Sequence, residues 1–170
     1  VKVFIAPRRY VQGVGVIKDI GKYVAPLGKR VLVAWGPVVS EQFNAVVKKS
    51  FEENGLELIP FKFSGECDRG QIGLGVEKAK AEKAEVVVGL GGGKAIDLAK
   101  AVAIEIDAKL VTAPTIASND APTSAATVYY TEEGSFDGWG IWPRNPDLVL
   151  VDTEVIVAAP VRWLISGIGD

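Results

Sequence analysis

The chain has 170 residues, the size of one ordinary globular domain; 48% of them are hydrophobic and 24% are charged. These proportions are typical of folded proteins and argue against disorder. The formal net charge of -2, with charges of both signs interspersed, provides no basic surface for DNA or RNA. Because no apolar run reaches the roughly 20 residues of a membrane helix and the start VKVFIAPRRY is unlike a signal peptide, we expect a cytoplasmic protein without a membrane partner.

Histidine is absent from the sequence, and Cys67 is the only cysteine. A lone cysteine forms no internal disulfide, and without a histidine to activate its thiol we expect it to be a packing residue rather than a nucleophile. The lack of histidine also removes the usual general base and the commonest ligand of zinc or iron. A metal held by this chain alone would therefore depend mainly on carboxylates.

Six short apolar runs, mostly continuous and rich in valine, alternate with longer segments. They lie at residues 3–5, 31–34, 56–61, 86–88, 110–113 and 148–151. Such runs are typical of parallel strands buried on both faces, and the segments between the first five are long enough for crossover helices. The pattern predicts an α/β fold with a mainly parallel sheet.

Two of the intervening segments carry helical patterns of different strength. In 40–54, Ser40 is predicted to cap a helix that Gly55 ends. The apolar face of this helix consists of Phe43, Val46, Val47 and Phe51. The helix predicted at 68–84 is weaker, because three glycines each cost up to about 1 kcal/mol relative to alanine. These are Gly70, Gly73 and Gly75.

The run VVVGLGGGKAIDLAK at 86–100 carries the clearest functional signal. An apolar strand stops at glycines and a lysine, and a helical pattern follows. Free backbone amides and the positive end of a helix dipole attract anions, and side-chain-free backbone lets a ligand approach closely. The glycines are Gly91, Gly92 and Gly93, and Lys94 adds a mobile charge. We therefore expect a phosphate group to bind here.

Neither of the common phosphate-loop patterns fits this run. The usual dinucleotide fingerprint has a third glycine where this chain has Lys94, and the nucleoside triphosphate loop requires other residues at Val88 and Ala95. A second interpretation therefore stays open, in which the glycines only form a tight strand-to-helix turn. In the helix that follows, Ile96, Ala99, Lys100 and Ala103 recur at helical spacing, and we interpret Asp97 as a side chain that stabilises the helix dipole.

The alternation of strands and helices breaks after Thr115. Strand-forming residues flank a glycine-containing polar turn at 127–142, which predicts a protruding β-hairpin. The last residues, 159–170, predict a helix that starts at Pro160 and is still apolar and uncapped at Asp170. We therefore expect a second domain to follow, with 1–158 as the α/β domain and 159–170 as the start of a helical domain.

Four motifs together resemble the glycerol dehydrogenases of the iron- or zinc-dependent alcohol dehydrogenase superfamily, whose fold is shared with dehydroquinate synthases. They are GLGGGKAIDLAK at 89–100, APTIASNDAPTSA at 113–125, NPDLVLVDT at 145–153 and SGIGD at 166–170. The resemblance covers essentially the whole chain. It implies a Rossmann-like N-terminal domain that binds NAD, without the all-helical C-terminal domain that supplies most of the metal site.

The resemblance also assigns roles to individual residues. It implies a pyrophosphate held by Gly92, Gly93 and Lys94, a polyol contacted by Asp120, and a divalent metal, zinc, ligated by Asp170. The residues that would line the nicotinamide side are Thr115, Ser118, Ser124, Ala126 and Tyr130. The other two metal ligands of the family are histidines and would lie beyond this chain.

Two of these assignments have structural alternatives. Asp120 could instead cap a local turn beside Pro122. Tyr129 and Tyr130 are adjacent, so one of them should face the core and the other the cleft, and only the resemblance selects Tyr130.

Two positions depart from the family pattern. Gly36 stands where NAD-specific relatives have an aspartate that binds the adenine ribose and repels a 2′-phosphate, and Ala126 replaces a larger apolar residue near the nicotinamide. Without a carboxylate at Gly36 the penalty against NADP falls, so the preference between NAD and NADP stays open.

The resulting hypothesis is the nucleotide-binding half of a glycerol dehydrogenase, which converts glycerol and NAD to dihydroxyacetone and NADH. With one metal ligand of three, this chain alone is expected to be inactive. The alternatives are a nucleotide-binding module without catalysis, a domain of a related polyol or dehydroquinate synthase-like enzyme, and an assembly subunit. We also expect self-association through exposed apolar residues near the C-terminus, which are Trp163, Leu164, Ile165 and Ile168.

Overall fold

The computed structural model describes residues 1–2 and 4–170. The strands of this part of the chain are β1 (Tyr10–Gly13), β2 (Arg30–Trp35), β3 (Glu57–Lys62), β4 (Val86–Gly91), β5 (Lys109–Pro114), β6 (Ala126–Tyr130), β7 (Phe136–Ile141) and β8 (Leu148–Asp152). The helices are α1 (Ile20–Val24), α2 (Pro37–Glu53), α3 (Arg69–Ala81), α4 (Gly93–Glu105), α5 (Thr153–Ala158) and α6 (Val161–Gly169). A single 3-10 turn, Val16–Asp19, precedes α1. No helix within the described ranges combines the length and the apolar character needed to cross a membrane.

The strands form one large parallel sheet and one small antiparallel ribbon. The large sheet has six strands in the order β1-β8-β5-β4-β2-β3, and every neighbouring pair in it is parallel. The ribbon consists of β6 and β7, with a register shift between Tyr129 and Tyr130. The α/β, Rossmann-like fold with an added hairpin is thus confirmed.

Helices cover both faces of the large sheet and divide the core into two layers. In one layer Phe43 and Phe51 of α2 pack with Val33, and in the other Leu98 of α4 packs with Leu32. Leu32 and Val33 are neighbours on β2 and point to opposite faces, as the two-residue period of a strand requires. Both are fully buried, which explains the continuous apolar run of this strand.

The first predicted strand, 3–5, is wrong for the residues that the structure describes. Phe4 and Ile5 belong to no strand and are exposed, while Val3 lies outside the described residues. The first strand is β1, which pairs with β8 at the edge of the sheet. Its exposure alternates along the strand, so it lacks the continuous apolar run by which the buried strands were predicted.

The predicted start of α2 is also wrong. The helix begins at Pro37, with Gly36 in the N-cap position, and Ser40 lies inside it. Ser40 Oγ is buried and has no hydrogen-bond partner among the residues that the structure describes. Proline at a first helical position needs no amide hydrogen, which favours this earlier start. The end at Gly55 is confirmed, with a φ of 67°.

The remaining helices and the hairpin follow the prediction more closely. Asp68 caps α3 by accepting a hydrogen bond from the Gln71 amide at 2.8 Å. This helix ends at Ala81, earlier than expected, because Lys83 adopts a left-handed φ of 54°. The hairpin and the C-terminal helix after Pro160 are confirmed.

Candidate functional site

The order in which strands are added to the sheet changes side at β2 and β4. From β2 it continues to β3 on one side, whereas β4 and β5 extend the sheet on the other. The connections that leave the carboxyl ends of β2 and β4 therefore lead to helices on opposite faces of the sheet, and open α/β sheets bind ligands at such a point. A cleft of about 550 Å³ lies here, and its lining includes Gly36, Gly91, Gly92, Gly93, Ser118 and Tyr130.

The glycine turn joins β4 to α4 at the floor of this cleft. Gly91 has a φ of 152°, which side chains rarely tolerate, and Gly92 is the N-cap of α4. A Cβ atom at Gly92 would lie 2.9 Å from Ile116 Cδ1, and one at Gly93 would lie 2.7 Å from Asn119 Nδ2. The backbone at Gly91 therefore needs glycine, and a side chain at Gly92 or Gly93 would have to displace the end of Ile116 or Asn119. Since the first-turn amides of a helix have no partner within the helix, the same turn exposes an anion-binding end to the cleft.

Small residues also let α4 approach the sheet. A Cβ at Gly89 would lie 2.8 Å from the Ala99 Cβ and 3.0 Å from the Ala95 carbonyl oxygen. The helix thus lies directly against β4, which fixes the position of its N-terminus relative to the strand end.

Lys94 lies at the rim of the cleft and forms an ion pair with Glu66. Glu66 follows β3 and also lines the cleft, as does Gly134 of the hairpin turn. The ammonium group of Lys94 is exposed, with 55% of its side chain accessible. A phosphate bound at the glycine turn would therefore share the Lys94 charge with Glu66.

Gly36 brings a second helix N-terminus to the same cleft, because it is the N-cap of α2. An ideal Cβ at Gly36 meets no heavy atom of the described residues within 4 Å. The space that a carboxylate would take at this position is therefore open.

The residues expected on the nicotinamide side are only partly brought together. Ser118 and Tyr130 line the cleft, whereas Tyr129 lines a separate depression on the other side of the hairpin. There Arg69 lies 5.3 Å from the centre of the Tyr129 ring. Thr115 is outside the lining, but its amide donates to the Gly91 carbonyl at 3.0 Å and so joins its loop to the glycine turn.

Ser124 and Ala126 lie behind the cleft, where both contact Lys100. The Lys100 ammonium lies 3.3 Å from Ser124 Oγ and 2.6 Å from the Ala126 carbonyl oxygen. It also lies 3.2 Å from Asp97 Oδ1. The proposed role of Asp97 at the helix dipole is therefore wrong: its side chain is buried and engaged by Lys100 and by the Val128 amide.

Burial shifts the titration of this pair in opposite directions. Loss of hydration raises the pKa of Asp97 and lowers the pKa of Lys100, and the attraction between the two charges opposes both shifts. Sequence reasoning placed Lys100 on the apolar face of its helix but assigned it no role. The sequence feature that could have indicated a buried, paired lysine is a charged residue at helical spacing with Ile96, Ala99 and Ala103.

Asp120 and Asp170, which were predicted separately, lie side by side. The Asp120 amide donates to Asp170 Oδ2 at 3.1 Å, and the Ser166 hydroxyl donates to the Ser118 carbonyl at 3.2 Å. A Cβ at Gly167 would overlap the Ala117 carbonyl oxygen, so α6 lies directly on this loop.

The carboxylates at this position do not by themselves form a metal centre. Within the described part of the chain, no group of three or more histidine, cysteine, aspartate or glutamate residues could hold a metal ion. Asp120 and Asp170 are both exposed. The residues present therefore do not fit a metal ion without further ligands.

The thiol of Cys67 behaves as the sequence indicates. Its side chain is fully buried, and burial raises its pKa to about 12, with a smaller contribution from Asp97. A thiol that stays protonated at neutral pH is a poor nucleophile.

Comparison with known proteins gives a family match and several similar sequences. Residues 7–153 match the family model described as iron-containing alcohol dehydrogenase. The glycolaldehyde reductase of Halobacterium salinarum is 44% identical over 168 residues, and the glycerol dehydrogenase of Escherichia coli O6:H1 is 41% identical over 169 residues. Each alignment covers 99% of this chain and 46% of the relative.

A solved structure shows the same similarity. The crystal structure of a probable glycerol dehydrogenase from Sinorhizobium meliloti 1021 superposes with a TM-score of 0.92 at 41% identity, over 99% of this chain and 45% of that one. The chain thus spans about half the length of the curated relatives it matches. From the family match and these similarities, the chain belongs to the iron-containing alcohol dehydrogenase family.

Proposed function

We propose that the cleft between β2 and β4 binds a nicotinamide dinucleotide, and that this chain is the nucleotide-binding part of a glycerol dehydrogenase. One observation carries the proposal: the turn from Gly91 to Gly93 places the N-terminus of α4 in the lining of a cleft at the switch point of the sheet. Relatives named glycerol dehydrogenase that align over nearly the whole chain support the choice of substrate.

Different residues of the chain would bind different parts of the cofactor and substrate. The amides of the glycine turn and the charge of Lys94 would hold the diphosphate, because both offer hydrogen-bond donors to an anion. Ser118 and Tyr130 would orient the nicotinamide side, and Asp120 would bind a polyol hydroxyl through its carboxylate. The bound NAD would supply the hydride acceptor.

We propose further that residues 1–158 form the nucleotide-binding domain, that 159–170 begin a helical domain, and that the described chain alone oxidises no alcohol. Catalytic zinc needs three protein ligands and an open position for substrate. Asp170 is the one metal ligand assigned to this chain, and the described residues contain no cluster of three candidate ligands, which supports this expectation.

Calorimetry and a turnover assay test these proposals together. The purified chain is titrated with NADH and with ADP-ribose, and glycerol oxidation is followed with NAD and zinc. We expect saturable binding of both nucleotides and no turnover. Failure of both nucleotides to bind would overturn the proposed site, and turnover by the chain alone would overturn the proposed inactivity.

A glycine pair provides the matched variants for this titration. Gly92→Ala places a methyl group against Ile116 in the cleft, so we expect NADH binding to weaken about tenfold. Gly73→Ala is the control, because Gly73 lines a different depression and a Cβ there meets nothing among the described residues. Equal affinities of the two variants would contradict the assignment.

A further inference from the structure

A buried ion pair outside the cleft connects α4 to the hairpin. The side chain of Lys100 is 1% exposed, and its ammonium group has three acceptors within 3.3 Å: Asp97 Oδ1, Ser124 Oγ and the Ala126 carbonyl oxygen. A lysine ammonium has three hydrogens to donate. Each of them therefore has a partner, and two of the partners belong to the segment that enters β6.

Asp97 extends this connection by one more step along the strand. Its Oδ2 accepts a hydrogen bond from the Val128 amide at 3.2 Å. Together, Lys100 and Asp97 hold the chain at Ser124, Ala126 and Val128.

The hairpin depends on such an anchor because β6 and β7 pair only with each other in the described structure. An isolated two-stranded ribbon is at best marginally stable in water. A further tie is the hydrogen bond from the Tyr130 amide to the Cys67 carbonyl at 3.1 Å. The position of β6 therefore depends on its contacts with α4 and with the Cys67 carbonyl, and not on the continuous ladder of the large sheet.

Stability alone does not account for a buried charge pair. Replacing such a pair by apolar residues of similar volume is often neutral or stabilising, whereas removing one partner leaves an uncompensated charge. The pair does, however, restrict where its partners can lie, since each contact has a defined length and direction. The residue two positions beyond Val128 is Tyr130, which lines the cleft.

We propose that Lys100 is a positioning residue, which fixes β6 through Asp97 and the Ala126 carbonyl so that Tyr130 borders the nicotinamide side of the cleft. The proposal rests on the proposed function for the identity of the ligand. It goes beyond it because Lys100 touches no ligand and acts through the hairpin.

Two nucleotides separate this role from a general effect on folding. NADH carries the nicotinamide and ADP-ribose lacks it. In Lys100→Met, which keeps the length of the side chain without its charge, we expect NADH binding to weaken about tenfold while ADP-ribose binding is unchanged. The matched control is Val102→Ala, which opens a cavity in the same helix on a fully buried residue. It should lower the melting temperature and leave the ratio of the two affinities unchanged.

A double variant covers the case in which Lys100→Met does not fold. Asp97→Asn combined with Lys100→Met removes both charges, so no uncompensated charge stays buried. We expect this variant to fold and to show the same loss of NADH affinity relative to ADP-ribose affinity as Lys100→Met. A wild-type affinity ratio in a folded variant without Lys100 would overturn the positioning role and leave the proposed function intact. No binding of either nucleotide by the wild type would overturn both.

Hydrogen exchange gives a readout that needs no ligand. The Val128 and Tyr130 amides should exchange faster in the variant without Lys100, while the Val87 amide of β4 keeps its wild-type rate. Equal acceleration at all three amides would assign Lys100 to global stability and contradict the positioning role.

Discussion

Gly36 and Lys94 show how single residues set the charge in the cleft. Position 36 carries no carboxylate, although no atom of the described residues occupies the space that a side chain would take there. At Lys94 the ammonium group is already paired with Glu66. We therefore expect the choice between a ribose hydroxyl and a 2′-phosphate to depend on Gly36 more than on Lys94.

Replacement of Gly36 tests this expectation. Its φ of -74° and ψ of 166° are open to any residue, so Gly36→Asp introduces no backbone strain. The new carboxylate should repel a 2′-phosphate and raise the ratio of NADH to NADPH affinity by about tenfold, measured by calorimetry.

Gly36→Asn is the control for this change, because asparagine caps a helix as well as aspartate does but carries no charge. It should leave the affinity ratio near that of the wild type. An equal change in both variants would assign the effect to capping of α2 and contradict the charge argument.

Sequence alone predicted the glycine turn but not the Lys100 contacts. The turn is local, since its residues are consecutive and follow an apolar strand. Two of the three partners of Lys100, Ser124 and Ala126, are more than 20 residues away in the sequence and come close only through the tertiary fold. Ser40 was misplaced for a related reason, since its position inside α2 depends on Pro37 at the start of the helix.

Two glycines of α3 differ in burial and in the space around them. Gly75 is buried, and a Cβ there would lie 2.8 Å from Val102 Cγ2 and 3.2 Å from Phe61 Cε1. Gly73 is exposed, and a Cβ there meets nothing within 4 Å among the described residues. Close packing therefore explains the glycine at Gly75, and nothing in the structure explains the one at Gly73.

Alanine at each position should change stability in opposite directions. Gly73→Ala should raise the free energy of unfolding by about 0.5–1 kcal/mol, because it gains helix propensity without a clash. Gly75→Ala should lower it by about 1–3 kcal/mol, because Val102 is stiff and fully buried. Urea denaturation of both variants measures this difference, and stabilisation by Gly75→Ala would show that α3 is free to move away from α4.

Glu85 joins the starts of two strands at the end of the sheet opposite the cleft. Its Oε2 accepts hydrogen bonds from the Lys29 and Arg30 amides at 2.9 and 3.0 Å. These bonds lower the pKa of Glu85 below its ordinary value of 4.5, and the bond from the Arg30 amide has the largest effect. The contribution of the ionised carboxylate to stability is therefore present above pH 4.5 and is lost as the pH falls through the lowered pKa.

Glu85→Gln should weaken this pH dependence. We expect the melting temperature of the variant to fall less than that of the wild type between neutral pH and pH values below 4.5. Glu41→Gln, an exposed position on α2, is the control and should follow the wild-type curve. A variant curve for Glu85→Gln that parallels the wild type would contradict the hydrogen-bond argument.

Strands differed from one another in how far the sequence could predict them. The runs behind β2, β4, β5 and β8 were apparent because these strands are largely buried in the large sheet. β3 lies at an edge and only Ile59 and Phe61 of it are buried, but its apolar run was still apparent in the sequence. β1 was missed because its four residues, YVQG, contain no apolar run long enough to stand out. α5 was missed because its six residues are too few to display a helical period.

Four apolar residues of α6 face solvent, whereas Trp163, which was also expected to be exposed, is half-buried and lines the cleft. Val161, Leu164, Ile165 and Ile168 are 69%, 49%, 64% and 78% exposed. Contiguous apolar surface of this kind favours association. We therefore propose that copies of this chain self-associate through α6.

Light scattering at increasing protein concentration tests this proposal. The wild type should show a rising mass, and Leu164→Lys combined with Ile168→Lys should stay monomeric. Leu74→Lys, which changes an exposed apolar residue on α3, is the matched control and should associate as the wild type does. A wild type that stays monomeric throughout would contradict the proposal.

The amides at the start of α4 are proposed to bind the diphosphate of a nicotinamide dinucleotide. Nuclear magnetic resonance of the nitrogen-15-labelled chain during titration with NADH tests this proposal most directly. We expect the amide signals of Gly92, Gly93 and Lys94 to shift the most and to saturate together. Saturation by NADH with these three signals unmoved would contradict it.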